Sequence, residues 1–117
     1  MLVDQGLSII AQSIADQFTT GEVGTDNTEP TTADTDLRNG IVATQKAFTT
    51  KSSTANLVTL IYELQVSDAN GETIREFGTF INDGTNEKLV SRFIHPSINK
   101  TDQIALVYRV EYLIERK

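Results

Sequence analysis

Cysteine and tryptophan are absent from the chain, histidine and methionine occur once each, and proline occurs twice. The missing thiols exclude a disulfide framework and every thiolate metal site, so stability has to come from packing or from partner subunits. A single histidine, His95, leaves no pair for an imidazole metal site and little choice of acid–base dyad. Positive charge is scarce: 10 Lys and Arg stand against 16 Asp and Glu, for a net charge of −6. Lys46, Lys51, Arg75, Lys88, Arg92, Lys100 and Arg109 are scattered without a block. That argues against a nucleic-acid partner, because phosphate recognition needs a clustered positive face. No apolar run approaches the roughly 18–20 residues of a membrane span. Asp4, Gln5, Gln12 and Asp16 interrupt the one N-terminal stretch that could imitate a secretion signal. With neither nucleic acid nor membrane indicated, 117 residues read as a single domain, 1–117.

Strict alternation is what the sequence has in quantity. Ile104, Leu106, Tyr108, Val110, Tyr112 and Ile114 occupy every second position near the C-terminus. A period of two places them on one face of one strand. Val58, Leu60, Tyr62, Leu64 and Val66 repeat the pattern within a strand Leu57–Ser67. At roughly 3.3–3.4 Å per residue such strands run on the order of 35 Å. Upstream, Val3, Leu7, Ile10, Ala11, Ile14 and Phe18 fall at helical spacing, with Asp4 as N-cap, and predict an amphipathic helix over 1–18. Residues 19–36 are rich in Thr, Asp and Gly, broken by Pro30, and predict a long polar loop.

The segment 37–117 then divides into antiparallel strands. A weak strand is expected near Ile41–Thr49 and a turn at Lys51–Ser53. Asn70-Gly71 predicts a two-residue hairpin that sets Leu64 opposite Phe77, Leu60 opposite Ile81 and Tyr62 opposite Thr79. Asp83-Gly84 predicts a second turn into a strand Lys88–His95 ended by Pro96. The expected fold is mainly β: an antiparallel β-sandwich-like domain of about five or more long strands with an N-terminal helix. Leu57 and Ile61 on the reverse of one strand, and Val107 and Leu113 on the reverse of the last, leave an apolar residue on a face that should be polar. The helix or another subunit must cover it, so these four are candidate subunit or partner contacts, together with Asp26 and Asn27 of the loop.

Catalytic chemistry has no obvious home. His95 beside Pro96 lacks a nucleophile elbow to serve. Asp26, Asn27, Glu29, Asp34 and Asp36 could gather oxygens around Ca²⁺, yet without EF-hand spacing, and loops use the same residues for turns. Glu63 and Glu76 would suit a general-acid pair only in a cleft. No catalytic, cofactor-binding or metal residues are therefore expected.

Several short segments resemble a family of small tailed-virus structural proteins of the tail-collar, baseplate and fibre-attachment kind. Met1–Leu7 resembles the family's opening, and Val23-Gly24-Thr25-Asp26, Glu29-Pro30-Thr31 and Ala33–Leu37 resemble its Gly-Thr-Gly…Pro…Asp-Thr-x-Leu loop. Ile74–Phe80 is similar to its Ile-x-Glu-x-Gly-Leu-Phe strand. Leu89–Phe93, Pro96 and Lys100–Asp102 resemble the run leading into the terminal strand. Asp26 stands where a second Gly is usual, and Thr79 where Leu is usual. The resemblance implies a non-enzymatic virion component, assembled in the host cytoplasm as a homo-oligomer (a trimer or ring) and bound to other virion proteins. Because the chain stops just after its last strand, the expected role is an adaptor or decorating subunit of the tail, baseplate, collar or fibre base. The alternatives are a glycan- or receptor-binding module of a tail fibre, using the loop and Tyr62, Tyr108 or Tyr112, and a capsid decoration protein.

Overall fold

A computed structural model describes residues 1–115. One helix, α1 (Asp4–Gln17), is followed by strands β1 (Phe18–Gly24), β2 (Lys46–Ala47), β3 (Thr50–Thr54), β4 (Leu57–Leu64), β5 (Thr73–Asn82), β6 (Glu87–Asn99) and β7 (Leu106–Leu113). Two antiparallel sheets face each other, with orders β2-β1-β5-β6 (sheet A) and β3-β4-β7 (sheet B). The mainly β, sandwich-like architecture with an N-terminal helix is as the alternation predicts.

The core lies between the sheets. Val58, Leu60, Tyr62 and Leu64 of β4 are fully buried against Val23, Ile74 and Phe77 of sheet A. The even-numbered face of β7 points the same way but is only half-buried, because β7 is an edge strand. This strand is shorter than its pattern: Ile104 lies in the preceding turn and Ile114 follows the last ladder residue.

α1 does not lie on the outside of a sheet. Leu7, Ala11 and Ala15 are buried against the inner side of β3 and β4, whereas Val3 and Ile10 of the predicted stripe are 59% and 43% exposed. Asp4 is the first helical residue; Val3 takes the cap position without a side-chain bond. A carboxylate in that first turn still favours the positive end of the helix dipole. At the other end Lys51 donates to the carbonyls of Asp16 (3.4 Å) and Phe18 (2.9 Å), matching a cation to orphan C-terminal acceptors.

The polar stretch 19–36 is the main correction. Phe18–Gly24 is a buried strand paired with β2 on one side and β5 on the other. It looks polar because each face is specialised. Gly21 faces the core where a Cβ would meet Tyr62 at 2.7 Å and Phe77 at 3.1 Å, and Glu22 faces outward beneath the loop. The true loop is 25–41. The weak strand near Ile41–Thr49 resolves into a 3-10 turn, Val42–Thr44, and the two-residue β2. Lys51–Ser53 is strand, not turn; the reversal falls at Ala55-Asn56, with Ala55 at φ 53°.

The hairpin predicted at Asn70-Gly71 is absent, although the chain does turn there, with Gly71 at φ 88°. β4 pairs with β3 and β7, so Leu64 lies beside Leu106 and Tyr62 beside Tyr108, not beside Phe77 and Thr79. The 65–72 segment carries the chain from sheet B to sheet A. Apolar faces opposed across a sandwich satisfy the same complementarity as neighbours in one sheet, so alternation does not distinguish them. Buried Lys100 pins this crossing: its ammonium donates to Val66 O, Asn70 Oδ1 and Thr101 O at 2.8–3.3 Å. The second turn is as expected, Gly84 taking φ 103° between β5 and β6. Pro96 does not end its strand. β6 is an edge strand with a bulge between its pairings at Ile94 and Ile98, where a missing N–H costs no ladder bond.

Candidate functional site

Three surfaces carry the residues singled out above. On the outside of sheet A, loop 25–41 is clamped down by buried charge. Glu76, 0% exposed, accepts from the backbone N–H groups of Asp26 (3.1 Å), Arg38 (3.0 Å) and Asn39 (2.9 Å) and from Arg92 Nε (2.9 Å). Arg92 Nη1 donates to Thr28 O at 2.7 Å and approaches Asp34 at 3.5 Å, while Nη2 approaches Asp26 at 3.5 Å. Asp26 and Asp34 thus converge on a guanidinium built into the fold. Hydrogen bonds from Thr28 and Thr31 hold the two carboxyls below the usual range. Asn27 and Glu29 point to solvent. Leu37 covers Gly78, where a Cβ would meet Leu37 Cδ2 at 2.7 Å. Glu22 beneath this loop is pushed up to about 7, mainly by burial, with repulsion from Asp36 and Glu76 added. Glu63 belongs to the opposite sheet, so it makes no pair with Glu76.

On the outside of sheet B, Leu57 pairs directly with Leu113, Ile61 with Arg109 and Glu63 with Val107. The four apolar contact candidates are therefore brought onto one face, and Asp26 and Asn27 lie on the other side of the sandwich. Leu57 and Ile61 are half-buried, but Val107 and Leu113 are 63% and 56% exposed. The helix does not cover this face, since it packs at the β3 side of the interior. Arg109 and Glu111 pair across it at 2.9 Å.

The third surface was not foreseen. Where edge strands β6 and β7 face each other, the sandwich stands open as a groove of about 660 Å³ lined by Phe93, Ile98, Leu106, Tyr108 and Val110. Its floor is an aromatic stack, with Phe77 and Tyr108 at 4.3 Å between centroids and 6° between planes. His95 bridges the sheets here: Nδ1 donates to Pro96 O and Nε2 accepts from the Tyr108 hydroxyl, each at 2.8 Å. The carbonyl can only accept, which fixes this tautomer. Burial pushes the Tyr108 hydroxyl up to about 12. Further along, the Tyr112 hydroxyl joins Thr79 (2.9 Å) and Ser91 (2.8 Å) across the same gap. Placing a strand end at Pro96 concealed the groove. The available signal was that apolar and aromatic residues continue past the proline to Ile98, which a bulge brings back into step.

No family model matches the chain, and no curated protein matches it.

Proposed function

We propose that this chain is a non-enzymatic structural subunit of a tailed-virus particle, an adaptor or decorating protein of the tail, baseplate, collar or fibre base. The observation that carries this reading is the outer face of sheet B, where Leu57, Ile61, Val107 and Leu113 meet on a rigid ladder beside Glu63, Arg109 and Glu111, with Val107 and Leu113 the most exposed of the four. A monomer gains nothing from apolar side chains there, whereas a repeated assembly multiplies a modest contact by its symmetry. The ordered resemblance of segments from Met1 to Asp102 supplies the virion setting. Loop 25–41 adds a fixed polar surface on the opposite side, held by Glu76 and Arg92. Tyr62, Tyr108 and Tyr112, which a sugar-stacking site would use, are engaged in ring packing and cross-sheet hydrogen bonds, which weighs against the glycan-binding alternative.

The test is location. Antibodies raised against the purified chain should label intact particles of the virus that encodes it at a discrete position on the tail or its collar. Absence of the chain from purified infectious particles would refute the proposal.

A further inference from the structure

We propose that the chain associates head to tail with a second copy of itself, the outward face of α1 on one copy seating in the β6/β7 groove of the next. This rests on the reading of the chain as a repeated building block and names the contact that would repeat. The two surfaces lie on opposite lateral sides of one molecule. α1 packs on β3, β4 and β1, and β3 is the edge of sheet B remote from β7, just as β1 and β2 lie remote from β6 in sheet A. The helix closes one side of the sandwich, and no described element closes the other.

Each surface is apolar beyond what a lone subunit needs. Leu2, Val3, Ile9 and Ile10 are 40%, 59%, 62% and 43% exposed although Leu7, Ala11 and Ala15 already provide the inward stripe. Gly6, Ile9 and Ser13 follow at helical spacing, with Leu2 lying over Gly6 just ahead of the helix, and form a second ridge with small residues between large ones. Such a ridge suits the helix-in-groove mode of recognition. Residues 1–18 contain Asp4 and Asp16 and no Lys or Arg; at the groove Arg109 is ion-paired with Glu111, so the seat is close to neutral and the contact is an apolar one. Strand addition is the less suitable use of this edge, because Pro96 and the bulge around it interrupt the β6 ladder. Distinct surfaces on opposite sides make a heterologous contact, which closes into a ring or continues as a filament.

The absence of cysteine makes the contact directly testable by cross-linking. Ile9→Cys and Phe93→Cys, the second at an exposed residue of the groove lining, are prepared singly and together in the full chain. Mixing the two single variants under mild oxidation should give a covalent dimer, and the double variant a ladder or one closed species. Neither single variant should cross-link to itself. Ile9→Glu should weaken association about tenfold or more by sedimentation, with circular dichroism and thermal midpoint unchanged. Self-linking of either single variant would point to a two-fold contact and overturn the proposal, as would a chain that stays monomeric at its highest soluble concentration. A monomer that nevertheless resides in particles overturns this contact and spares the virion reading; a head-to-tail oligomer missing from particles does the reverse.

Discussion

Glu76 ties loop 25–41 to sheet A, because one buried carboxylate receives three backbone N–H groups and a guanidinium. Removing one partner of a buried ion pair leaves the other charge uncompensated and costs about 3–5 kcal/mol. Glu76→Ala should lower unfolding free energy by about that amount in urea titrations, and amide exchange should accelerate across 25–41. Glu22 acts in the opposite sense. Its folded pKa of about 7 lies above the unfolded value near 4.5, so the folded state holds the extra proton between those limits. Stability from this group is present below about pH 4.5 and is lost as pH rises through 7. Glu22→Gln should therefore raise the thermal midpoint at pH 8, by about 1–3 kcal/mol in stability, and do little at pH 5. Asp26, Asp34, Asp68 and Asp83 have lowered pKa values, so their contribution runs the other way and fades in acid, below the usual carboxylate range.

Among the elements, two glycines hold their places for different reasons. Gly84 adopts φ 103° with open space around it, so Gly84→Ala should cost only the conformational penalty of a left-handed residue, about 1 kcal/mol. Gly21 has an ordinary backbone but sits against Tyr62 and Phe77. Gly21→Ala should push the sheets apart, cost about 1–3 kcal/mol and broaden the aromatic near-ultraviolet signal. Chemical denaturation of both variants measures the contrast; equal losses would contradict it. The same positions explain what composition could and could not reveal. Alternating Val58–Leu64 and Leu106–Tyr112 announce their strands because one face is apolar. β1 does not, since Gly21 interrupts its inward face between Phe18 and Val23, and its outward Glu22 is a carboxylate held under a loop. β3 is equally disguised: Lys51 and Ser53 face α1, not oil, and bond to Asp16 O and Gln12 Oε1.

At the scale of the whole molecule, principal extents of 51 × 30 × 28 Å describe an elongated body with a helix at one side and an open groove at the other. The outer face of sheet B is a separate matter from that groove. Leu113→Glu replaces a 56% exposed side chain, so it should alter monomer stability by less than about 0.5 kcal/mol. Incorporation into particles should nevertheless fall severalfold, measured by quantitative mass spectrometry of purified virions. Unchanged incorporation would remove sheet B's outer face from the proposed assembly.

The β class, the helix, the Asp83-Gly84 reversal and the apolar reverse-face residues were all present in local pattern, because periodicity and turn chemistry act over a few residues. Which strands became neighbours was not. Placing β4 across from β5, turning Asp26 and Asp34 toward Arg92, and leaving β6 and β7 facing over an uncovered gap depended on contacts between residues dozens of positions apart. Such partners are chosen by how whole sheets pack, and no short window of residues encodes that choice.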